Sequence, residues 1–337
     1  MAAGRRTEAT VPTMTTCSAS DVRSRIRGTF RRYFVSMYTP FSPSGDIDQV
    51  ALRRNVETTL GLPGVGGISL HTIHQEFWTL TDAERRQVTE VVLEQVDGRV
   101  PVIVGVSDTC AQTVTDLARH AEEWGAAALM IWPPFYGQRS ADGVRAFYEQ
   151  VAQRLRIGFF AYSTTLAELG FYLTPDIAEK LLSIDNLVGI QSTTNSISGF
   201  SAMMERVGDR ICVATSLEEY FLYGRTTFPE RSPHFLMGAS RPLLVQSHEQ
   251  PHCGDFINAV MREDIAQATV LARRIVAIAD TVQSRYFAAG FHHVALSKAL
   301  SEHNGLVGGP PRPPASPPST QELRECREAL AAAGLGR

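Results

Sequence analysis

The 337-residue chain has two lysines, Lys180 and Lys298, against 30 arginines. Any chemistry that needs a reactive amine therefore has two side chains to draw on. Cysteine is also scarce. Cys17, Cys110, Cys212, Cys253 and Cys326 are scattered, odd in number and form no CxxC pair. That excludes a disulfide framework or structural zinc site as a reading and suits a reduced, cytoplasmic protein. No apolar run approaches the roughly 18 residues that a membrane span needs. The net charge of −3 leaves no basic footprint for nucleic acid. No GxGxxG follows a strand-like run, so a dinucleotide site has no support, and no cofactor is expected. Residues 1–27 hold Arg, Ser and Thr but no apolar h-region; they read as a flexible N-terminal arm rather than a secretory signal.

What is present is a rhythm. Nearly continuous apolar runs occur at Tyr33–Tyr38, Gly67–His71, Val102–Val106, Ala127–Trp132, Gly158–Tyr162, Leu187–Gln191, Ile211–Ala214 and Phe235–Gly238. Such runs suit parallel strands buried on both faces. Between them, Asp82–Gln95, Cys110–Trp124, Ala141–Arg154, Thr174–Ser183 and Ser196–Val207 show helical spacing. Eight strands alternating with helices point to a (β/α)8 TIM barrel over residues 28–254. A C-terminal helical extension, 255–337, is expected to hold one long helix at Asp255–Asp280 and more helix at Ser284–Asn304. A Pro-rich connector, Gly308–Pro318, then leads to a terminal helix Thr320–Ala333, since proline cannot continue a helix.

Several short segments resemble the dihydrodipicolinate synthase/N-acetylneuraminate lyase family. They are Tyr38-Thr39-Pro40-Phe41 with Ser44-Gly45-Asp46, Gly66-Gly67 leading to Glu76, Pro101–Val106, Pro133-Pro134-Phe135-Tyr136, Tyr162, Asn186–Ile190 and Pro311–Pro314. They stand in family order and spacing over roughly residues 30–335. The resemblance implies a small-molecule substrate, a homo-oligomer (dimer or tetramer) and lyase chemistry on a lysine imine. The imine lysine directly follows a Gly-Ile pair in the family's sixth strand. Here Gln191 stands there, and a carboxamide cannot form an imine. The family's Gly-Thr-Thr/Ser-Gly-Glu reads Thr72-Ile73-His74-Gln75-Glu76, with Ile73 in place of a proton-relay hydroxyl. After Tyr162 the family carries a carboxylate-binding arginine, whereas Ser163–Gly170 has none.

Tyr162 and His74 are the candidate proton-transfer groups, an imidazole being suited to acid–base work near neutral pH. Tyr136 matches a family tyrosine that reaches into a neighbouring subunit's site. Gln191, Ile73, Ser192 and Glu218 are candidate substrate contacts, lying at strand ends where such barrels act. Glu76 reads as a tie for the loop after strand two, and Lys180 and Lys298 read as solvated surface residues. His71, His74 and Glu76 could be weighed as metal ligands, but they lie on a strand end and loop rather than one helix face, and no metal is expected. The expected function is a lyase-type reaction without a covalent imine: dehydration, retro-aldol, decarboxylation or cyclisation. The alternative is a non-catalytic small-molecule-binding protein on the same barrel.

Overall fold

A computed structural model describes residues 19–137, 139–165, 171–283, 286 and 292–335. Each expected apolar run forms a strand: β1 Arg32–Ser36, β2 Val65–Leu70, β3 Val102–Gly105, β4 Ala128–Ile131, β5 Phe159–Thr164, β6 Leu187–Thr193, β7 Cys212–Ala214 and β8 Phe235–Ala239. Helix α1 (Ala19–Thr29) precedes them. Helices α2 (Gln49–Gly61), α3 (Asp82–Val96), α4 (Ala111–Glu123), α5 (Ala141–Ala152), α6 (Pro175–Leu181), α7 (Ile197–Val207) and α8 (Glu218–Thr227) follow β1 to β7 in turn. Their starts are written locally. Thr81 and Glu84 form a reciprocal capping box on α3, Thr174 caps α6 with Pro175 in its first turn, and Ser196 caps α7.

The strands pair in parallel, in the order β7-β6-β5-β4-β3-β2-β1-β8, so β8 returns to β1 and the sheet curls into a TIM barrel. Seven junctions carry a strand ladder. Between β7 and β8 the described residues share one backbone hydrogen bond, from Met237 N to Thr215 O at 2.9 Å.

The barrel floor is apolar and closed by α1. Ile26 and Phe30 are buried against Phe34, Phe160 and Phe235, with ring centroids 4.5 to 6.4 Å from Phe30. Arg27 donates to Gly208 O (2.7 Å) and Ile211 O (2.9 Å), and Arg23 donates to Ile184 O (2.8 Å) and Leu187 O (2.9 Å). Carbonyls at the strand entries thus find partners on α1. This corrects the expected arm: residues 19–27 are helical, and the remainder of the arm, 1–18, lies outside the described residues.

The C-terminal part comprises α9 (Arg241–Leu244), α10 (His252–Met261), α11 (Ile265–Val282), α12 (His292–Leu300), a short 3₁₀ turn at Ser301–Asn304 and α13 (Thr320–Ala332). The single helix expected at Asp255–Asp280 is two. Glu263 adopts a left-handed φ of 60°, and Asp264 caps α11 by accepting from Gln267 N at 3.1 Å. Of the helix expected at Ser284–Asn304, residues 284, 285 and 287–291 lie outside the described residues. These helices pack on the β1/β8 side through Leu236, Leu243, Phe256, Ile275 and Leu296. The Pro-rich connector is non-helical and pinned by Arg312, which donates to Glu84 Oε1 (2.5 Å) and Gly45 O and lies 4.3 Å over the Phe41 ring.

Candidate active site

At the C-terminal ends of the strands lies a cavity of about 310 Å³. Ile73 and His74 from the β2 loop, Trp132 after β4, Tyr162 on β5, Gln191 and Thr193 on β6, Glu219 on α8 and Arg241 on α9 all line it. These side chains come from β2, β4, β5, β6, β7 and β8 or the segments that follow them, as expected for this barrel mouth.

Gln191 faces the cavity from β6, directly opposite Tyr162 in the β5–β6 register. Its Nε2 donates to Met237 O at 3.1 Å. A carbonyl can only accept, so this bond fixes which end of the amide is nitrogen. Oε1 is left as the acceptor. The bond is possible because residue 238 is glycine: Gly238 has φ +76°, and a Cβ there would lie 2.6 Å from Gln191 Nε2.

Tyr162 is buried and stacks on Trp132, with centroids 4.5 Å apart and planes 14° from parallel. Burial raises its phenol pKa, opposed by hydrogen bonds with the side chains of Thr193 and Thr164. Trp132 also meets Phe77, with ring centroids 5.2 Å apart and planes near perpendicular.

The β2 loop coils into a 3₁₀ turn, Ile73–Gln75, between two left-handed residues, His71 (φ 52°) and Glu76 (φ 54°). Gln75 Oε1 accepts from His71 N and holds the turn against the strand. His74 is buried, with neither ring nitrogen hydrogen-bonded. Its ring lies 5.7 Å from that of His293 and 6.5 Å from that of Tyr38. Burial lowers its pKa to about 4. The expectation of an imidazole titrating near neutral pH is thereby corrected: His74 is neutral at pH 7, able to accept a proton or to donate from a neutral ring. His71 points away, its Nε2 2.9 Å from Thr89 Oγ1 on α3. Glu76 pairs with Lys298 at 2.6 Å. The His71, His74 and Glu76 side chains therefore diverge, and no three potential metal ligands converge among the described residues. Lys180 is exposed, as expected, but Lys298 is wholly buried, which overturns its surface reading.

Two expected contacts are displaced by one residue. Ser192 is buried but does not line the cavity, whereas Gln191 and Thr193 do. Side chains alternate across a strand, so the neighbour of an inward residue points outward. Glu218 is likewise buried behind the wall, accepting from Tyr33 Oη (3.0 Å) and Arg241 Nη1 (2.5 Å). Glu219 lines the cavity instead and accepts from the same Arg241 nitrogen at 2.8 Å. Tyr136 is 84% exposed and does not line the cavity of its own chain.

Arg241 was not expected at all. Burial lowers its pKa, but Glu218 and Glu219 more than offset this and hold it charged. The available signal was an arginine just beyond the end of the last apolar run. Of Ser163–Gly170, where the family arginine is lacking, Ser163 and Thr164 lie on β5, while Leu166–Gly170 lie outside the described residues.

The pattern described as the dihydrodipicolinate synthetase family matches residues 29–333. The chain belongs to that family. A 4-hydroxy-tetrahydrodipicolinate synthase of Methanothrix thermoacetophila is 27% identical over 302 residues, 89% of this chain and 96% of the relative. Among solved structures, dihydrodipicolinate synthase from Oceanobacillus iheyensis superimposes with a TM-score of 0.77 at 21% identity, covering 93% of this chain and 99% of its own. A monomeric dihydrodipicolinate synthase variant gives 0.77 at 20% identity, covering 92% and 99%. At these identities the structural likeness concerns the fold. No helix among the described residues is long and apolar enough to cross a membrane.

Proposed function

We propose that this protein is a lyase-type enzyme that works on a small molecule without forming a lysine imine. The observation that carries the reading is Gln191, a non-nucleophilic carboxamide, facing the cavity from β6 beside Tyr162. The dehydration, retro-aldol, decarboxylation or cyclisation open to such a site proceeds through positioned hydrogen bonds and proton transfer. Tyr162 supplies a phenol at the cavity wall, and His74 supplies a neutral imidazole whose nitrogens are buried and without hydrogen-bond partners. Gln191 presents Oε1 to a donor on the substrate. Glu219 adds a carboxylate to the same cavity.

The protein works in the cytoplasm as a homo-oligomer, a dimer or tetramer. Supporting this, Tyr136 stands exposed beside the half-buried Phe135, where a neighbouring subunit would meet it. A non-catalytic binding role is the second reading, favoured by the apolar Ile73 and Trp132 within the lining.

The test is pyruvate with borohydride, read by intact-mass spectrometry. No adduct is expected. A reduced pyruvyl group on Lys180 or Lys298 overturns the imine-free reading. A ligand-stabilisation screen followed by turnover assays then separates enzyme from binding protein: stabilising ligands that are never converted favour the second reading.

A further inference from the structure

We propose that the cavity selects a planar aromatic ligand that is cationic or neutral and donates hydrogen bonds, and that it discriminates against small carboxylates. This rests on the reading of the cavity as the functional site.

The charge balance is the first support. Among the described residues lining the cavity, Arg241 is the one cation. It is already engaged, at 2.5 Å by Glu218 and at 2.8 Å by Glu219. Burial pushes the Glu218 carboxyl up and Arg241 opposes this; with both carboxylates ionised, the trio sums to −1. Glu218 is immobilised further by Tyr33 Oη, while Glu219 keeps 38% of its side chain exposed. A ligand carboxylate would have to displace one of these partners or meet surplus negative charge. A ligand cation meets Glu219 without displacing anything. Glu168 and Arg285, of opposite sign, lie outside the described residues.

The polar groups that remain are acceptors or ambivalent. Gln191 commits one of its two Nε2–H donors to Met237 O, which leaves Oε1 to accept and one N–H to donate. His74 is about nineteen-twentieths buried, lines the cavity and has no hydrogen-bond partner on either nitrogen. A buried polar group left so is costly unless something completes it. A ligand N–H or O–H completes Gln191 Oε1, whereas both His74 nitrogens are closed off from the cavity.

The wall sets the shape. Trp132 and Tyr162 form a flat stacked pair at the cavity, flanked by Ile103 and Met130. An aromatic and aliphatic lining of this kind suits a planar ring better than a small polar anion.

Benzoate, benzamide and benzamidine are near-isosteric planar probes of charge −1, 0 and +1. Titrated calorimetrically into the full chain, benzamidine is expected to bind at least about tenfold tighter than benzoate, with benzamide between. Glu219→Gln should lower the benzamidine-to-benzoate ratio by about tenfold and leave benzamide within about twofold. Glu219→Asp, which keeps the charge, should retain the wild-type ranking and guards against a fold defect in the first variant. Trp132→Ala should weaken all three. Benzoate binding as tightly as benzamidine, no binding of any probe, or a ranking unmoved by Glu219→Gln would each overturn the proposal. The borohydride result is independent: an adduct removes the imine-free reading and leaves the charge ranking intact, and the converse also holds.

Discussion

Lys298 Nζ lies 2.6 Å from Glu76 Oε1, and both side chains are buried. The pair joins α12 to the loop after β2. The second carboxylate oxygen of Glu76 accepts from Arg312 N at 2.9 Å, and Lys298 also donates to Pro310 O at 3.2 Å. One carboxylate on a left-handed residue thus gathers α12 and the Pro-rich connector onto the barrel mouth. Breaking a buried pair strands the surviving charge, whereas replacing both partners with apolar groups need cost little. Lys298→Met should therefore lower unfolding free energy by about 3–5 kcal/mol in urea titrations. The double variant Lys298→Met/Glu76→Leu should recover most of that. A loss in the single variant no larger than in the double would mean that the pair is not the tie described here.

His74 makes stability depend on pH in a definite direction. Unfolded, it takes up a proton near pH 6.5; folded, only near pH 4, because burial disfavours the cation. Between these values the unfolded chain holds more protons, so the stabilisation is complete above about pH 6.5 and is lost as pH falls toward 4. The full span is on the order of 3 kcal/mol. His71 and His293 are depressed by burial as well, so the wild-type slope exceeds that of one group. Unfolding free energies at pH 7 and pH 5 should differ less in His74→Gln than in the wild type. Equal differences would place the ring of His74 in water.

Gly238 and Gln191 are a matched pair. Gly238→Ala combines a left-handed backbone with a methyl 2.6 Å from Gln191 Nε2. A loss of about 1–3 kcal/mol is expected from denaturant unfolding. In a Gln191→Ala background the clash disappears and only the backbone cost remains, about 1–2 kcal/mol. An identical cost in both backgrounds would show that the carboxamide does not fold over residue 238.

Tyr162→Phe keeps the stack on Trp132 and removes the hydroxyl. If the phenol is the general acid or base, turnover of the substrate found by screening should fall roughly 10²–10⁴-fold. Thr164 and Thr193 lose a hydrogen-bond partner, so stability should drop by about 0.5–1.5 kcal/mol. Paired turnover and melting measurements decide the role. Unchanged turnover removes Tyr162 from the chemistry, and a loss of activity matched by loss of folded protein makes it structural.

The eight strands were legible because parallel strands covered on both faces need uninterrupted apolar sequence, as in Val102–Gly105 and Ala128–Ile131. Gln191, Tyr162, Ile73 and His74 were legible as cavity residues through their places in the motifs. The errors lay where one residue decides. Ser192 for Thr193 is a matter of strand parity. Glu218 for Glu219 is set by Arg241, whose approach from α9 no local pattern announces. Lys298 and Glu76 are 222 residues apart, and nothing in either neighbourhood signals the other. The break before α11 did carry a signal, Asp264 as a cap, within a segment whose apolar spacing otherwise runs on.

The junction between β7 and β8 is joined by one backbone bond among the described residues, where the other seven carry ladders. Arg241 after β8, held by Glu218 and Glu219 after β7, fastens the mouth end of that same junction. The ring therefore has a built-in slit with an ionic clasp at one end. Local breathing of the barrel follows the line of fewest bonds, so the slit is where it opens first. Loosening the clasp is therefore expected to widen the cavity at this junction rather than at the laddered ones.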